Sequence, residues 1–162
     1  MMINAADSLY IAGRETSLKG RPLYTLSEVV DKKSLLGKRL HLNLQYNYTC
    51  TWELDNNRLY LKKVLCKTNL IPLDKIFTNY ADKVYAHWFS RNTHAAFGGL
   101  FFNEEKEKWQ IPYQINLSFQ NGYLKDTSLI CNKSAQIYDK WEEIVHIILT
   151  AEERIVPRGS KT

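Results

Sequence analysis

The chain reads as an α+β domain: a mainly antiparallel sheet with two or three helices, the last of them C-terminal and packed on one face. Three observations predict this. Apolar residues alternate strictly with polar ones from Leu40 to Leu54, which is the period of a half-buried strand. Asn56-Asn57 and Asn121-Gly122 lie between such runs, and these residue types accept the positive φ that a two-residue hairpin loop demands. Ile137, Trp141, Ile144, Val145, Ile148 and Leu149 recur at helical spacing, with Asp139, Lys140, Glu142, Glu143 and Glu152 largely on other faces.

Taken in order, residues 8–12 have a strand-like apolar mix, and the Gly- and charge-containing stretch 13–22 reads as a loop. Thr25-Leu26-Ser27-Glu28 fits a capping box, in which the hydroxyl and the carboxylate each satisfy a helix-end N–H. Leu26, Val29, Val30 and Leu36 then form an apolar stripe, and Gly37 reads as the helix stop. The alternating run puts Leu40, Leu42, Leu44, Tyr46, Tyr48, Cys50, Trp52 and Leu54 on one face and His41 on the polar one. It is long for a single strand, so a bulge or turn is expected near Tyr46-Asn47. With Asn56-Asn57 as the loop, Leu54 faces Leu59 and Trp52 faces Leu61, apolar cross-strand pairs that fix the register.

Pro72 opens a short helix reaching Phe77, where its missing N–H is harmless. Residues 84–89 read as a further strand, with Val84, Ala86 and Trp88 on one face and Tyr85, His87 and Phe89 on the other; 90–93 follow as a polar turn. Residues 109–119 read as a strand in which Ile111, Tyr113, Ile115, Leu117 and Phe119 alternate, and the Asn121-Gly122 turn returns it as 123–130. Ser134 is a candidate N-cap for the final helix, whose stripe covers one sheet face.

A chain of 162 residues suits one domain with a real core, taken as 1–154, with 155–162 as a flexible tail. The net charge of +5 is interleaved with acids, as in Glu104-Glu105-Lys106-Glu107-Lys108, whereas nucleic-acid binders more often gather their bases on one face. The first residues lack the basic-then-apolar pattern of a secretory leader, and no apolar run is long enough for a membrane span. A cytoplasmic protein with no membrane partner is expected. Cys50, Cys66 and Cys131 are odd in number and far apart, with no Cys-x-x-Cys pair, which points to reduced thiols rather than a disulfide framework or zinc.

The stretch 86–102 holds His87, Arg91, Asn92, Thr93, His94 and Gly98-Gly99. His87 and His94 lack the spacing that sets two imidazoles on one helical face, and no third ligand accompanies them, so no metal is expected. A metal-free ribonuclease would use His87 or His94 as general base, with Arg91 or a lysine stabilising charge on the phosphorus. The strand pattern explains His87 without any chemistry. Gly98-Gly99 lacks the spaced glycines and the Lys-Ser/Thr of a phosphate loop, and no nucleophile elbow or paired-carboxylate motif occurs. No catalytic residue and no cofactor is therefore expected. Ten tyrosines suit a binding surface. The candidate binding residues are Arg58, Tyr60, His87, Arg91, Asn92 and His94; Tyr46 and Tyr48 are either contacts or core, since they share a face with Trp52.

The segment 24–36, the hairpin Thr51-Trp52-Glu53-Leu54 to Leu59-Tyr60-Leu61, then Leu73-Asp74-Lys75-Ile76-Phe77 and Val84-Tyr85-Ala86-His87-Trp88-Phe89-Ser90 together resemble an uncharacterised family of small bacterial cytoplasmic proteins. Its members share a Trp-Glu hairpin and a Trp-Phe-Ser strand end. The resemblance stops at Ser90, after which residues 91–102 replace the family's strand and Tyr/Gly-rich hairpin. It supplies no catalytic residues. In size and context such proteins are similar to immunity proteins, which bind and block a bacterial toxin. The expected function is thus a non-enzymatic protein-binding domain of the immunity type, with a cognate toxin as partner. The alternative is an RNA-binding protein or a metal-free ribonuclease using His87 or His94. Residues 91–99, where the chain departs from the family, are expected to form a recognition loop.

Overall fold

The computed structural model describes residues 7–11, 13–44, 47–97, 101–110 and 113–131. Their elements run β1 (Asp7–Ile11), β2 (Arg14–Leu18), α1 (Pro22–Val29), α2 (Leu35–Asn43), β3 (Tyr48–Asp55), β4 (Arg58–Cys66) and β5 (Asn69–Ile71). A 3-10 turn (Leu73–Lys75) follows, then β6 (Val84–Tyr85), β7 (Asn92–Phe97), β8 (Phe101–Asn103), β9 (Lys108–Gln110), β10 (Tyr113–Gln120) and β11 (Tyr123–Cys131).

Seven strands form a closed barrel in the order β11-β10-β7-β2-β1-β3-β4, with β4 meeting β11 again. Neighbours are antiparallel except β1 and β3, where Leu9 lies level with Trp52 in parallel pairing. Parallel neighbours need a long crossover, and here α1 and α2 lie on it. Leu9, Ile11, Trp52, Leu59, Leu61, Ile115 and Leu117 are fully buried, and Leu23, Leu26 and Leu40 of the two helices join the same core. β5 and β6 add to the edge of β4, while β8 and β9 pair as a separate hairpin.

This corrects the expected α+β fold. The described residues are mostly β, and their sheet curls on itself into a closed barrel. Two strands that the sequence hides make the difference. Residues 14–18, expected as a loop, are β2, and residues 92–97, expected as part of a recognition loop, are β7. The expected C-terminal helix from Ser134 and the tail 155–162 lie outside the described residues.

The alternating run is also divided differently. Residues 35–43 are helical: Leu36, Leu40 and Leu44 are spaced for one helix face as well as for one strand face, and the Ser34 side chain accepts from the Gly37 N–H at 3.0 Å as the N-cap. Leu42, placed inward by the alternation, is 71% exposed. Gly37 therefore opens α2 rather than ending α1, and a Cβ on it would lie 2.2 Å from the Asp31 carbonyl oxygen. Helix α1 starts at Pro22, so Thr25 sits inside it, and its hydroxyl donates to the Pro22 carbonyl at 2.6 Å instead of capping. Only Val84–Tyr85 of the expected strand 84–89 is paired; Phe89 N–H then donates to the Ala86 carbonyl at 3.1 Å in a turn. The helix expected after Pro72 is a single 3-10 turn.

Both hairpins form as the sequence predicts. Leu54 faces Leu59 and Trp52 faces Leu61, around Asn56 at φ 52° and Asn57 at φ 63°. Asn121 at φ 52° and Gly122 at φ 77° turn β10 into β11.

Candidate functional site

The barrel wall closes where three turns meet. β11 and β4 share a single residue pair, Tyr123 with Arg58. Around it, Leu59 N–H donates to the Gly122 carbonyl at 2.9 Å and Leu124 N–H to the Asn57 carbonyl at 2.7 Å. The 86–89 turn joins the seam from the side: Ala86 N–H donates to the Leu59 carbonyl and Gly122 N–H to the Phe89 carbonyl, both at 2.8 Å.

Aromatic and cationic side chains gather on this seam. Tyr60 pairs across the strands with Tyr85, their ring centroids 5.6 Å apart, and Tyr85 lies 6.5 Å from the His87 ring. The Arg58 guanidinium and the Lys125 ammonium each lie 5.5 Å from the centre of the Tyr123 ring. The Lys83 ammonium sits 4.3 Å from the Tyr60 ring centre and is held by Asp55 at 2.7 Å and Glu53 at 3.0 Å. The hydrogen bond to Asp55, with Glu53 beside it, pushes the Lys83 pKa up and keeps the amine charged. Arg58, Tyr60 and His87, predicted from the sequence as binding residues, thus reach one surface. Aromatic faces lined with cations suit contacts with flat or acidic groups.

Asn92 and His94 belong to a second surface. The registers of β7, β10 and β11 set out two polar rows, His94–Asn116–Ser128 and Asn92–Ser118–Asp126. They line a shallow pocket of about 380 Å³. Asn116 Nδ2 donates to Ser128 Oγ at 3.3 Å, and Gln114 Nε2 donates to Asn116 Oδ1 at 3.1 Å. Partial burial, aided by the Lys19 charge, lowers the His94 pKa, which favours the neutral imidazole. His87 keeps separate company, with Tyr85 and Trp88, so the two histidines do not form one constellation.

Arg91 turns towards α1, its guanidinium 3.5 Å from the Glu28 carboxylate. The expected recognition loop 91–99 is corrected: Asn92–Phe97 is a barrel strand hydrogen-bonded to both β10 and β2, with Thr93 and Ala95 buried. Residues 98 and 99 lie outside the described set. Sequence reasoning missed Tyr85, Lys83, Tyr123 and Lys125, because the pairing of β4 with β6 and β11 joins distant parts of the chain. It also missed the pair Phe102 and Trp109, stacked edge-on at 5.5 Å with Trp109 64% exposed. A signal was available there, since Pro112 disfavours one unbroken strand through that region.

Among the described residues no group of three or more His, Cys, Asp or Glu is placed to hold a metal ion. No helix among them is long and apolar enough to cross a membrane. Comparison with protein-family models, curated proteins and solved structures finds no match to this chain.

Proposed function

We propose that this protein is a non-enzymatic binding domain of the immunity type, a cytoplasmic protein that engages a cognate bacterial toxin through the barrel seam. The observation that carries the reading is the convergence of Arg58, Tyr60 and His87 with Tyr85 and Tyr123 on one partly exposed surface. Tyr and Arg are the residue types that most often dominate binding energy at interfaces, because each offers a large, rigid contact area with a polar tip. Arg58 and Lys125, both beside Tyr123, supply the positive charge, so the complementary partner face is acidic there. Two segments that carry the family resemblance, the Trp52 hairpin and residues 84–90, form one side of the seam; the other side, Gly122 to Leu124, lies beyond that resemblance.

The test is complex formation with the product of a neighbouring gene. A stable one-to-one complex is expected, weakened about ten-fold or more by Tyr60→Ala or Arg58→Ala. No complex, or a complex indifferent to both changes, defeats the reading. The same cluster favours a second reading, since aromatic faces among cations also stack single-stranded RNA. Salt-sensitive RNA binding that Tyr60→Ala removes would put RNA in place of the toxin. RNA cleavage that His87→Ala or His94→Ala abolishes would make the protein an enzyme.

A further inference from the structure

A cleft of about 1150 Å³ opens between α1, α2 and the start of β3, at the other end of that strand from the Glu53 and Asp55 of the seam cluster. Its walls are apolar, with Tyr24, Val30, Leu40, Leu42 and Leu44 among the lining residues. Tyr24 is 52% and Leu42 71% exposed, so apolar surface that the core does not need remains open to this space.

Arg21 also lines the cleft. Its guanidinium lies 4.7 Å from the Tyr48 ring centre and donates to the Tyr48 carbonyl at 3.0 Å. Its backbone is left-handed, φ 40° and ψ 72°, directly after Gly20 at φ 92°. A long side chain at such a position costs conformational energy that Gly or Asn would largely avoid. The strain sets a cation at the cleft. Asp7, the carboxylate whose pKa feels Arg21, accepts instead from Cys50 N–H at 3.1 Å and Trp52 Nε1 at 3.0 Å. Lys32 and Lys38 line the same space and form no ion pair with a described residue. The lining's one carboxylate, Glu28, is drawn away by Arg91. The cleft is therefore a largely apolar slot with three cations, Arg21, Lys32 and Lys38, at its lining, of which Arg21 also feels the buried Asp7 carboxyl.

We infer that this cleft binds an amphiphilic carboxylate, an apolar chain ending in one carboxyl group, with the head at Arg21 and the chain along Tyr24, Leu42 and Leu44. The apolar walls supply affinity by burial, and the bidentate geometry of a guanidinium suits a carboxylate head. The site is independent of the seam reading and stands or falls separately.

Calorimetric titration of the full chain with hexadecanoate and with hexadecanol tests it. Expected is saturable one-to-one binding of the acid, with the alcohol about ten-fold weaker or worse. Leu42→Glu, at an exposed position, is expected to weaken the acid by at least about ten-fold with an unchanged melting temperature. Arg21→Gln is expected to erase the preference for acid over alcohol. Should Arg21→Gln fail to fold, Lys38→Gln and Leu42→Glu still carry the test. Equal affinity for the alcohol, binding unmoved by Leu42→Glu, or no saturable binding overturns the proposal. So does an acidic amphipathic peptide that occupies the cleft while hexadecanoate fails to displace it, since the occupant is then a protein segment. Leu42→Glu leaves the seam untouched, so toxin binding by this variant reports on the seam alone.

Discussion

Gly122 occupies a point that no larger residue fits. Its φ of 77° is costly for any side chain, and a Cβ there would stand 2.4 Å from the Ala86 carbonyl oxygen and 2.9 Å from the Tyr85 ring. Two turns press together at that place, tied by the hydrogen bond from Gly122 N–H to the Phe89 carbonyl. Gly122→Ala is therefore expected to cost about 2–4 kcal/mol, read from urea unfolding. Asp7 presents a different demand. Burial raises its pKa, against the opposing hydrogen bonds from Trp52 and Cys50 and the charge of Arg21. The folded protein thus holds this proton more tightly than the unfolded chain does. The associated stability is full below the ordinary value of 3.8 and is lost as pH rises through the folded value. Melting temperature measured against pH should show the wild type losing ground to Asp7→Asn as pH rises above the ordinary carboxylate value of 3.8. A constant gap between the two proteins would mean that Asp7 has the same pKa folded and unfolded.

Elements were legible where residue identity restricts the backbone. The hairpins of β3–β4 and β10–β11 follow from Asn and Gly at positive φ, and the Leu54–Leu59 and Trp52–Leu61 pairs set a register with no rival. Elsewhere one pattern served two structures: leucines at every fourth position satisfy both helix and strand, so α2 was hidden within the alternation. The missed strands β2 and β7 share another cause. Each buries a threonine, Thr16 and Thr93, where an apolar side chain would have announced a strand. Each hydroxyl donates to a main-chain carbonyl, Thr16 to Leu9 at 3.0 Å and Thr93 to Lys19. Local pairing makes these polar groups tolerable in the core. Thr16→Val keeps the shape and removes the donor, so it is expected to destabilise by about 1–2 kcal/mol in thermal or chemical unfolding. A neutral or stabilising result would show that the hydroxyl is dispensable. Of the candidate site, Arg58 and Tyr60 could be placed side by side from the hairpin alone. Their meeting with His87 depends on the β4–β6 pair, which no local pattern encodes.

The molecule closes through pairings remote in sequence, β1 beside β3 across two helices and β4 beside β11. Such contacts exist only after large loops have closed, so folding is slow relative to a helical protein of this size. Trp52, fully buried between both sheet neighbours of β3, reports on that event. Stopped-flow tryptophan fluorescence is expected to show refolding in milliseconds to seconds, whereas microsecond refolding would contradict a barrel assembled from distant strands.

The seam's brevity has a consequence for how the protein keeps to itself. One strand pair and a few turn hydrogen bonds separate a sealed cylinder from an open ribbon. A ribbon frees the edge of β11 and the Arg58 end of β4, which β5 and β6 leave uncovered, and these fit a second copy as well as they fit each other. Gly122 is thus a latch on solitude as well as a tight corner. A concentrated Gly122→Ala sample, passed over a sizing column, is expected to show exchanged dimers and larger species that the wild type lacks.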